Sequence, residues 1–195
     1  MRRTRTAGVV LLALTVAGTV AACADDDPGA ATLAELQASA GATPGLSAEE
    51  RAKQDEIDEA EGVLAEFREL ESAVANDGYA DWAQLSMDYW GADLAEAYGP
   101  WYREMAEKGW YTTGEAEQVS LETTDYDARD DGFHEVEFTT CLDTSGLRMH
   151  DKDGSEMPLP NDTAERYVNV YTLEHQGQEG SWRVTDSAAR MDESC

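Results

Sequence analysis

The sequence predicts an α+β domain in which N-terminal helices pack on one face of a curved antiparallel sheet. Three observations predict it. A capped amphipathic helix pattern opens at Ser47. Aromatic residues then recur at helical spacing from Trp82 to Met105. After Gly114 the apolar period changes from three-to-four to two, the period of a half-buried strand.

The first helix is set by Ser47-Ala48-Glu49-Glu50, a capping box. The Ser47 hydroxyl accepts from a free backbone N–H, and Glu50 reaches back to the N-cap. Ile57, Ala60, Leu64, Phe67, Leu70 and Val74 follow at gaps of three and four and mark one buried face. Asn76-Asp77-Gly78 ends the helix. A second helical stretch carries Trp82, Leu85, Tyr89 and Trp90. A third carries Leu94, Tyr98, Trp101, Tyr102 and Met105, with Gly109 as its C-cap. Gly99-Pro100 is expected to bend or split this third helix, because proline removes a donor and clashes one turn back.

The strands read in order. Val119, Leu121 and Thr123 alternate with polar residues, and Asp130-Asp131-Gly132 turns the chain. Val136, Phe138, Thr140 and Leu142 then alternate with Glu135, Glu137, Thr139 and Cys141. Residues 144 to 163 are expected to be a polar connection, with Gly154, Pro158 and Pro160. Tyr167 to Leu173 is β-branched and aromatic, the turn Gln176 to Gly180 follows, and Trp182, Val184 and Asp186 alternate in the last strand. The expected result is a four-strand antiparallel meander.

Ahead of this domain, Arg2, Arg3 and Arg5 precede an apolar run from Ala7 to Ala22, which is shorter than the roughly 20 residues needed to span a bilayer. A basic start, a short apolar core and small residues before a cut define a secretory signal. Val20-Ala21-Ala22-Cys23 resembles the lipobox of bacterial lipoproteins, with Val where Leu is usual. That resemblance implies cleavage before Cys23 and a diacylglycerol, with palmitate-type acyl chains, on its thiol. The expected location is the extracytoplasmic face of the cell membrane, and the expected membrane contact is the lipid on Cys23. Arg2-Arg3 leaves both the general secretory and the twin-arginine export routes open. The segments are therefore a signal peptide over residues 1–22, a flexible tether over 23–46 and the α+β domain over 47–195. The tether is rich in Ala, Gly, Asp, Thr and Pro and would reach about 25 Å if flexible, with Thr32 to Leu36 as a turn of helix.

Two further cysteines remain, Cys141 and Cys195. In an oxidising compartment that is the count for one disulfide, the alternative being two free thiols.

The charge balance excludes one class of partner. The chain has 41 acidic and 14 basic residues; without the three leader arginines, 11 basic residues face 41 acidic ones, a formal charge of −30. Such a chain repels nucleic acid, whose phosphates need a basic face. The acidity keeps a surface protein soluble, or it answers a basic partner or cations.

The last strand, with Gly180, Trp182, Val184 and Asp186, resembles that of the NTF2-like fold. Cys141-x-Asp143-x-Ser145 with the terminal Cys195 is similar to NTF2-like lipoproteins of high-GC Gram-positive bacteria. The resemblance covers residues 47 to 195 and implies a conical pocket between helices and sheet. It implies no single activity, because enzymes, binders and scaffolds share the fold.

Five Trp, eight Tyr and three Phe supply the core, and most of the aromatics between Trp82 and Tyr111 belong to it. A few suit a pocket mouth, where aromatics favour apolar or sugar-like ligands; the candidates are Tyr89, Tyr98, Trp101 and Trp110. Enzymes of the fold often place an Asp or His in the pocket as a general base, which here would be Asp186 or His134. No metal cluster, phosphate loop, nucleophile elbow or dinucleotide fingerprint is present, so the sequence points to no cofactor and no metal. Asp151-Lys152-Asp153-Gly154 is read as an ordinary turn rather than a calcium loop. The leading expectation is a non-catalytic envelope module that binds a small apolar ligand or an envelope protein. The alternative is an NTF2-like enzyme acting on a small hydrophobic substrate.

Overall fold

In a computed structural model of the chain, the capping box forms as the sequence requires. The Glu50 N–H donates to the Ser47 hydroxyl at 3.1 Å, and the Ser47 N–H donates to Glu50 Oε2 at 2.6 Å. This starts α1, Ala48–Asn76, which buries Ile57, Ala60, Leu64, Phe67 and Val74. The structure describes residues 46–159, 164–176 and 180–195. The signal peptide, Cys23, the tether and the turn expected over residues 32–36 lie outside the described residues, as do most of the turn residues between Gln176 and Gly180. Leu46–Cys195 is one compact unit.

Helix α1 leaves through two left-handed residues, Gly78 (φ 74°) and Tyr79 (φ 62°). The Tyr79 N–H donates back to the Val74 carbonyl at 2.8 Å, which satisfies one of the carbonyls orphaned at the helix end. The short α2, Trp82–Asp88, buries Leu85. The α3 helix, Ala92–Lys108, ends at Gly109 in the left-handed region (φ 66°). Pro100 does not split α3. The carbonyl it leaves without a donor belongs to Glu96, and Glu96 and Pro100 are both exposed, so water can take the missing bond. Gly99 faces inward instead, where an added Cβ would stand 3.4 Å from the Trp82 ring.

Among the described residues, the three helices precede the strands. The main sheet is antiparallel, in the order β2 (Glu117–Ala128), β3 (Phe133–Asp143), β6 (Arg166–Gln176) and β7 (Arg183–Arg190). This is the expected meander. The β2–β3 turn closes with the Arg129 N–H on the Phe133 carbonyl at 2.8 Å. Residues 144 to 163 are more than the polar connection expected of them. They contribute β4, Arg148–His150, and β5, Glu156–Met157, which join β1, Tyr111–Thr113, in a second sheet of order β1-β4-β5. Asp151 to Gly154 make the turn between β4 and β5, with Asp151 Oδ1 accepting from the N–H groups of Asp153 and Ser155 at 2.9 Å each.

Three bulges change the phase of the strands. Register shifts at Gln118/Ser120 and Thr123/Asp125 leave Val119 and Thr124 as extra residues in β2. Val119, expected on the inner face with Leu121, is therefore exposed, and Tyr126 takes the inner face beyond the second bulge. In β7 the shift falls at Thr172/Leu173, leaving Thr185 as the extra residue. Val184 pairs with inward Leu173, but Asp186 pairs with outward Thr172. The inner face passes to Ser187 and Ala189, opposite Tyr171 and Asn169.

The core lies between the helices and the main sheet, with Phe67, Leu64, Leu85, Phe138, Leu173, Val136 and Val184 almost wholly buried. The backbone also stitches helices to sheet. Gly91 donates to the Val184 carbonyl and Val184 to the Tyr89 carbonyl, each at 2.8 Å. Only glycine fits at Gly91, because a Cβ there would meet Thr185 Cγ2 at 2.7 Å. Cys141 and Cys195 form a disulfide, with Cα atoms 5.8 Å apart, tying the C-terminus to β3. Nearby, Asp143 accepts from the Ser145 N–H at 2.9 Å and from Arg166 Nε at 2.7 Å. Ser145 first, and then Arg166, pull this carboxyl down to about 2. Among the described residues, no helix is long and apolar enough to cross a membrane.

Candidate functional site

A cavity of about 340 Å³ opens between the helices and the inner faces of both sheets. That is within the range of small-molecule sites, at its lower end. Helix α1 contributes Arg68, Glu71, Ser72 and Ala75, and α3 contributes Tyr98, Trp101 and Tyr102. Tyr167, Asn169 and Tyr171 of β6 line the opposite wall, with Ser187 and Ala189 of β7 and Met191 just beyond it. Leu142, Leu147 and Met149 close the side toward the small sheet.

Glu71 lines this space. It follows Leu70 on α1, four residues after Phe67 and three before Val74, so it shares their face of the helix. Its Oε1 accepts from the Tyr102 hydroxyl at 2.7 Å. Among the described residues its second oxygen has no hydrogen-bond partner. Burial pushes the Glu71 carboxyl above its ordinary range, against the opposing pull of the Tyr102 hydroxyl and the Arg68 charge. The protein packed around the carboxylate outweighs the exposure it keeps toward the cavity. Burial likewise raises Tyr79, Tyr98, Tyr102, Tyr167 and Tyr171, and in each of them the charge of Glu71 adds to the shift. Tyr79 is pushed up to about 12.

Arg68, almost one turn earlier on α1, also lines the cavity, and each of its terminal nitrogens donates one hydrogen bond. Nη1 donates to Gln118 Oε1 at 2.6 Å and Nη2 to the Ala116 carbonyl at 2.8 Å.

Tyr79, Trp101 and Tyr102 form an aromatic corner. Their ring centroids are 5.7, 5.4 and 5.1 Å apart, and the three interplanar angles are 83°, 80° and 77°. The rings are thus mutually close to perpendicular, the favoured edge-to-face arrangement. Tyr79 is the one non-glycine residue with positive φ among the described residues. A left-handed bulky residue costs about 1–2 kcal/mol, which burial of its ring offsets.

Of the four aromatics expected at a pocket, Tyr98 and Trp101 line the cavity, each a little over a third exposed. The Tyr98 hydroxyl donates to the Ser187 carbonyl at 3.0 Å, linking α3 to β7 at the rim. Tyr89 and Trp110 do not line it. Tyr89 packs on Phe67 and donates to Glu66 at 3.3 Å, while Trp110 lies beneath the Lys108 ammonium at 4.1 Å. Both sit at helix ends, where the chain has turned away from the cavity.

Asp186 and His134 are not brought together. The bulge at Thr185 turns Asp186 outward, and it is exposed. His134 lies two strands away on β3, opposite His175 and on the inner face, with Nδ1 2.6 Å from Glu56 Oε2. The same carboxylate oxygen accepts from the Tyr126 hydroxyl. His150 bonds Thr113 Oγ1 at 3.0 Å and stacks on Tyr111, and none of the three histidines lines the cavity. The residues missed from the sequence are Glu71, Arg68, Tyr79 and Tyr102 in this role. The readable signal was a charged residue on the inward line of an otherwise apolar helix face.

The chain is thus an α+β domain with an aromatic-walled cavity around one carboxylate. No family model matches it, and no curated protein does. Among solved structures it is similar to the intermembrane space region of the chloroplast protein ARC6, at 12% identity. That match covers 67% of this chain and 92% of that one, with a TM-score of 0.46.

Proposed function

We propose that this protein is a lipid-anchored lipoprotein of the extracytoplasmic membrane face whose NTF2-like domain binds a small, largely apolar ligand. The observation that carries the reading is the cavity between helices and sheet. A well-packed domain of this size leaves few voids larger than a water molecule, yet about 340 Å³ stands open here behind a ring of aromatic side chains. The lipobox-like Val20-Ala21-Ala22-Cys23 supports the anchor.

The alternative, an enzyme acting on a small hydrophobic substrate, has one observation in its favour. Glu71 is a carboxyl held above its ordinary range inside the cavity, the condition for a general base near neutral pH. The binding reading takes precedence because the hydroxyl bonded to Glu71, that of Tyr102, is held well above its ordinary range and is already committed to Glu71 as a donor.

Binding is tested with the uncharged aromatic probe N-phenyl-1-naphthylamine. Saturable one-to-one binding to the purified protein is expected, and Ala189→Trp, which fills the cavity from β7, should abolish it while the far-ultraviolet circular dichroism is unchanged. Absence of saturable binding, or equal binding by the folded Ala189→Trp variant, would overturn the reading.

A further inference from the structure

Resting on the reading of the cavity as a ligand site, we infer that the ligand is an organic cation, an ammonium group attached to an apolar body. Four observations carry this. First, Glu71 presents unspent acceptor capacity on the cavity wall. Glu71 uses Oε1 on Tyr102 and leaves Oε2 open. Second, the cation beside it is partly engaged elsewhere. Nη1 and Nη2 of Arg68 each donate one hydrogen bond, to Gln118 and to the Ala116 carbonyl, and no ion pair within 4.0 Å joins Arg68 to Glu71 among the described residues.

Third, the wall next to Glu71 is the corner of Tyr79, Trp101 and Tyr102, whose planes are nearly at right angles. Aromatic faces are electron-rich and attract ammonium groups; Tyr79 and Tyr102 are buried in this corner, and Trp101, over a third exposed, is its open ring. Tyr79 is held in this corner in a left-handed conformation that a tyrosine adopts only under constraint from its surroundings. Fourth, the chain without its leader arginines carries a formal charge of −30, which concentrates cations near its surface and repels anions.

The apolar body of the ligand would extend from this corner toward Leu142, Leu147 and Met149. A ligand without a donor would leave the open Glu71 oxygen without a partner, and an anion would face the carboxyl group directly.

Three compounds of equal length separate the possibilities: 3-phenylpropylammonium, 3-phenylpropan-1-ol and 3-phenylpropanoate. Their affinities for the purified protein are measured at pH 7.5 by titration calorimetry or ligand-observed NMR. The ammonium compound is expected to bind about tenfold or more tighter than the alcohol, the size of a desolvated cation–π and carboxylate contact. The carboxylate compound should bind weakest. Glu71→Gln, which keeps an acceptor for Tyr102, should abolish the preference for the ammonium compound over the alcohol. If the alcohol or the carboxylate compound binds as well as the ammonium, the cation inference fails and the ligand site stands. If none of the three binds, while the probe also fails, the reading of the cavity fails with it. A Glu71→Gln variant that is folded, as judged by thermal unfolding, and still prefers the ammonium also overturns the inference.

Discussion

The Tyr102 hydroxyl and the Glu71 carboxylate are joined by a 2.7 Å hydrogen bond that links α3 to α1 across the wall of the cavity. Tyr102 is almost wholly buried. Its ring faces Trp90 as well as the aromatic corner, so the hydroxyl is fixed in place by packing. Tyr102→Phe keeps the ring and removes the donor. The carboxylate then loses a hydrogen bond to its charged form, so Glu71 should titrate at a higher pH than in the parent protein. The expected loss of stability at pH 8 is about 1–3 kcal/mol, as for a buried acceptor left without its partner. Carboxyl-detected NMR of Glu71 checks the first expectation and urea unfolding the second. An unchanged Glu71 titration would mean that the hydroxyl does not act on it.

Glu71 itself predicts a pH dependence with a definite sign. Burial raises its folded-state pKa above the unfolded value. Protonation therefore favours the folded state. The stability it contributes is fully present below the unfolded pKa and is lost as pH rises through the folded pKa. Gln at this position does not titrate. Across pH 4 to 8 the difference in Tm between Glu71→Gln and the parent should move in favour of the variant as pH rises. A difference that stays flat, or moves the other way, would contradict the assignment of burial as the dominant cause.

Reducing the Cys141–Cys195 bridge should act on the cavity as well as on stability. The bridge spans 54 residues of sequence, and closing a loop of that length is worth about 4 kcal/mol in the chain-entropy model. Leu142, next to Cys141, and Met191, four residues before Cys195, both line the cavity. Cys141→Ala with Cys195→Ala should lower the unfolding free energy by about 2–5 kcal/mol and weaken probe binding at a temperature where the variant is still folded. Unchanged binding in the folded variant would show that the cavity wall holds without the bridge. Two alkylatable thiols in the oxidised, folded parent protein would remove the bridge altogether.

The elements legible in the sequence are those whose signals are local. The Ser47–Glu50 capping box, the 3–4 spacing of α1, the Gly109 cap and the alternation from Val136 to Leu142 each need only a few neighbouring residues to be read. Strands β1, β4 and β5 are two or three residues long, too short for a period to show, and exist only because they pair with one another. Bulges defeat the reading in another way. One extra residue at Thr185 inverts the face of everything after it, so the period-two pattern that correctly buries Trp182 and Val184 sends Asp186 the wrong way. The aromatic candidates divide for a similar reason. Tyr98 and Trp101 sit within α3 and share a direction, while Tyr89 and Trp110 follow the ends of α2 and α3, where backbone geometry decides the direction.

Asp186 and His134 should be silent in binding. Neither lines the cavity, and they lie on different faces of the sheet. Asp186→Asn should change stability by no more than about 0.5 kcal/mol, as for other exposed substitutions. His134→Ala removes the hydrogen bond to Glu56, which keeps its bond from Tyr126, so a loss of about 1 kcal/mol is expected. Ligand affinity should be unchanged in both. Loss of binding or of a turnover activity in either folded variant would favour the enzyme reading and would place the chemistry outside the cavity described above.

The lipid anchor is tested at Cys23. The motif Val20-Ala21-Ala22-Cys23 ends a short apolar run, and Asp25-Asp26-Asp27 follow almost at once. A diacylglycerol supplies two acyl chains, and two chains hold a protein stably at a bilayer where one holds it only marginally. The acidic chain gains nothing from an anionic lipid surface, so in the proposed lipoprotein the acyl chains would provide the whole of the attachment. Cys23→Ala should therefore release the protein from the membrane fraction or leave it unprocessed with its leader attached. Intact mass of the parent protein should be that of the chain beginning at Cys23 plus the lipid. Detergent partitioning separates the outcomes: the parent should enter the detergent phase and a processed Cys23→Ala variant the aqueous one. If parent and variant fractionate alike and have the same mass apart from the substituted atoms, Cys23 carries no lipid and the anchor must be sought elsewhere.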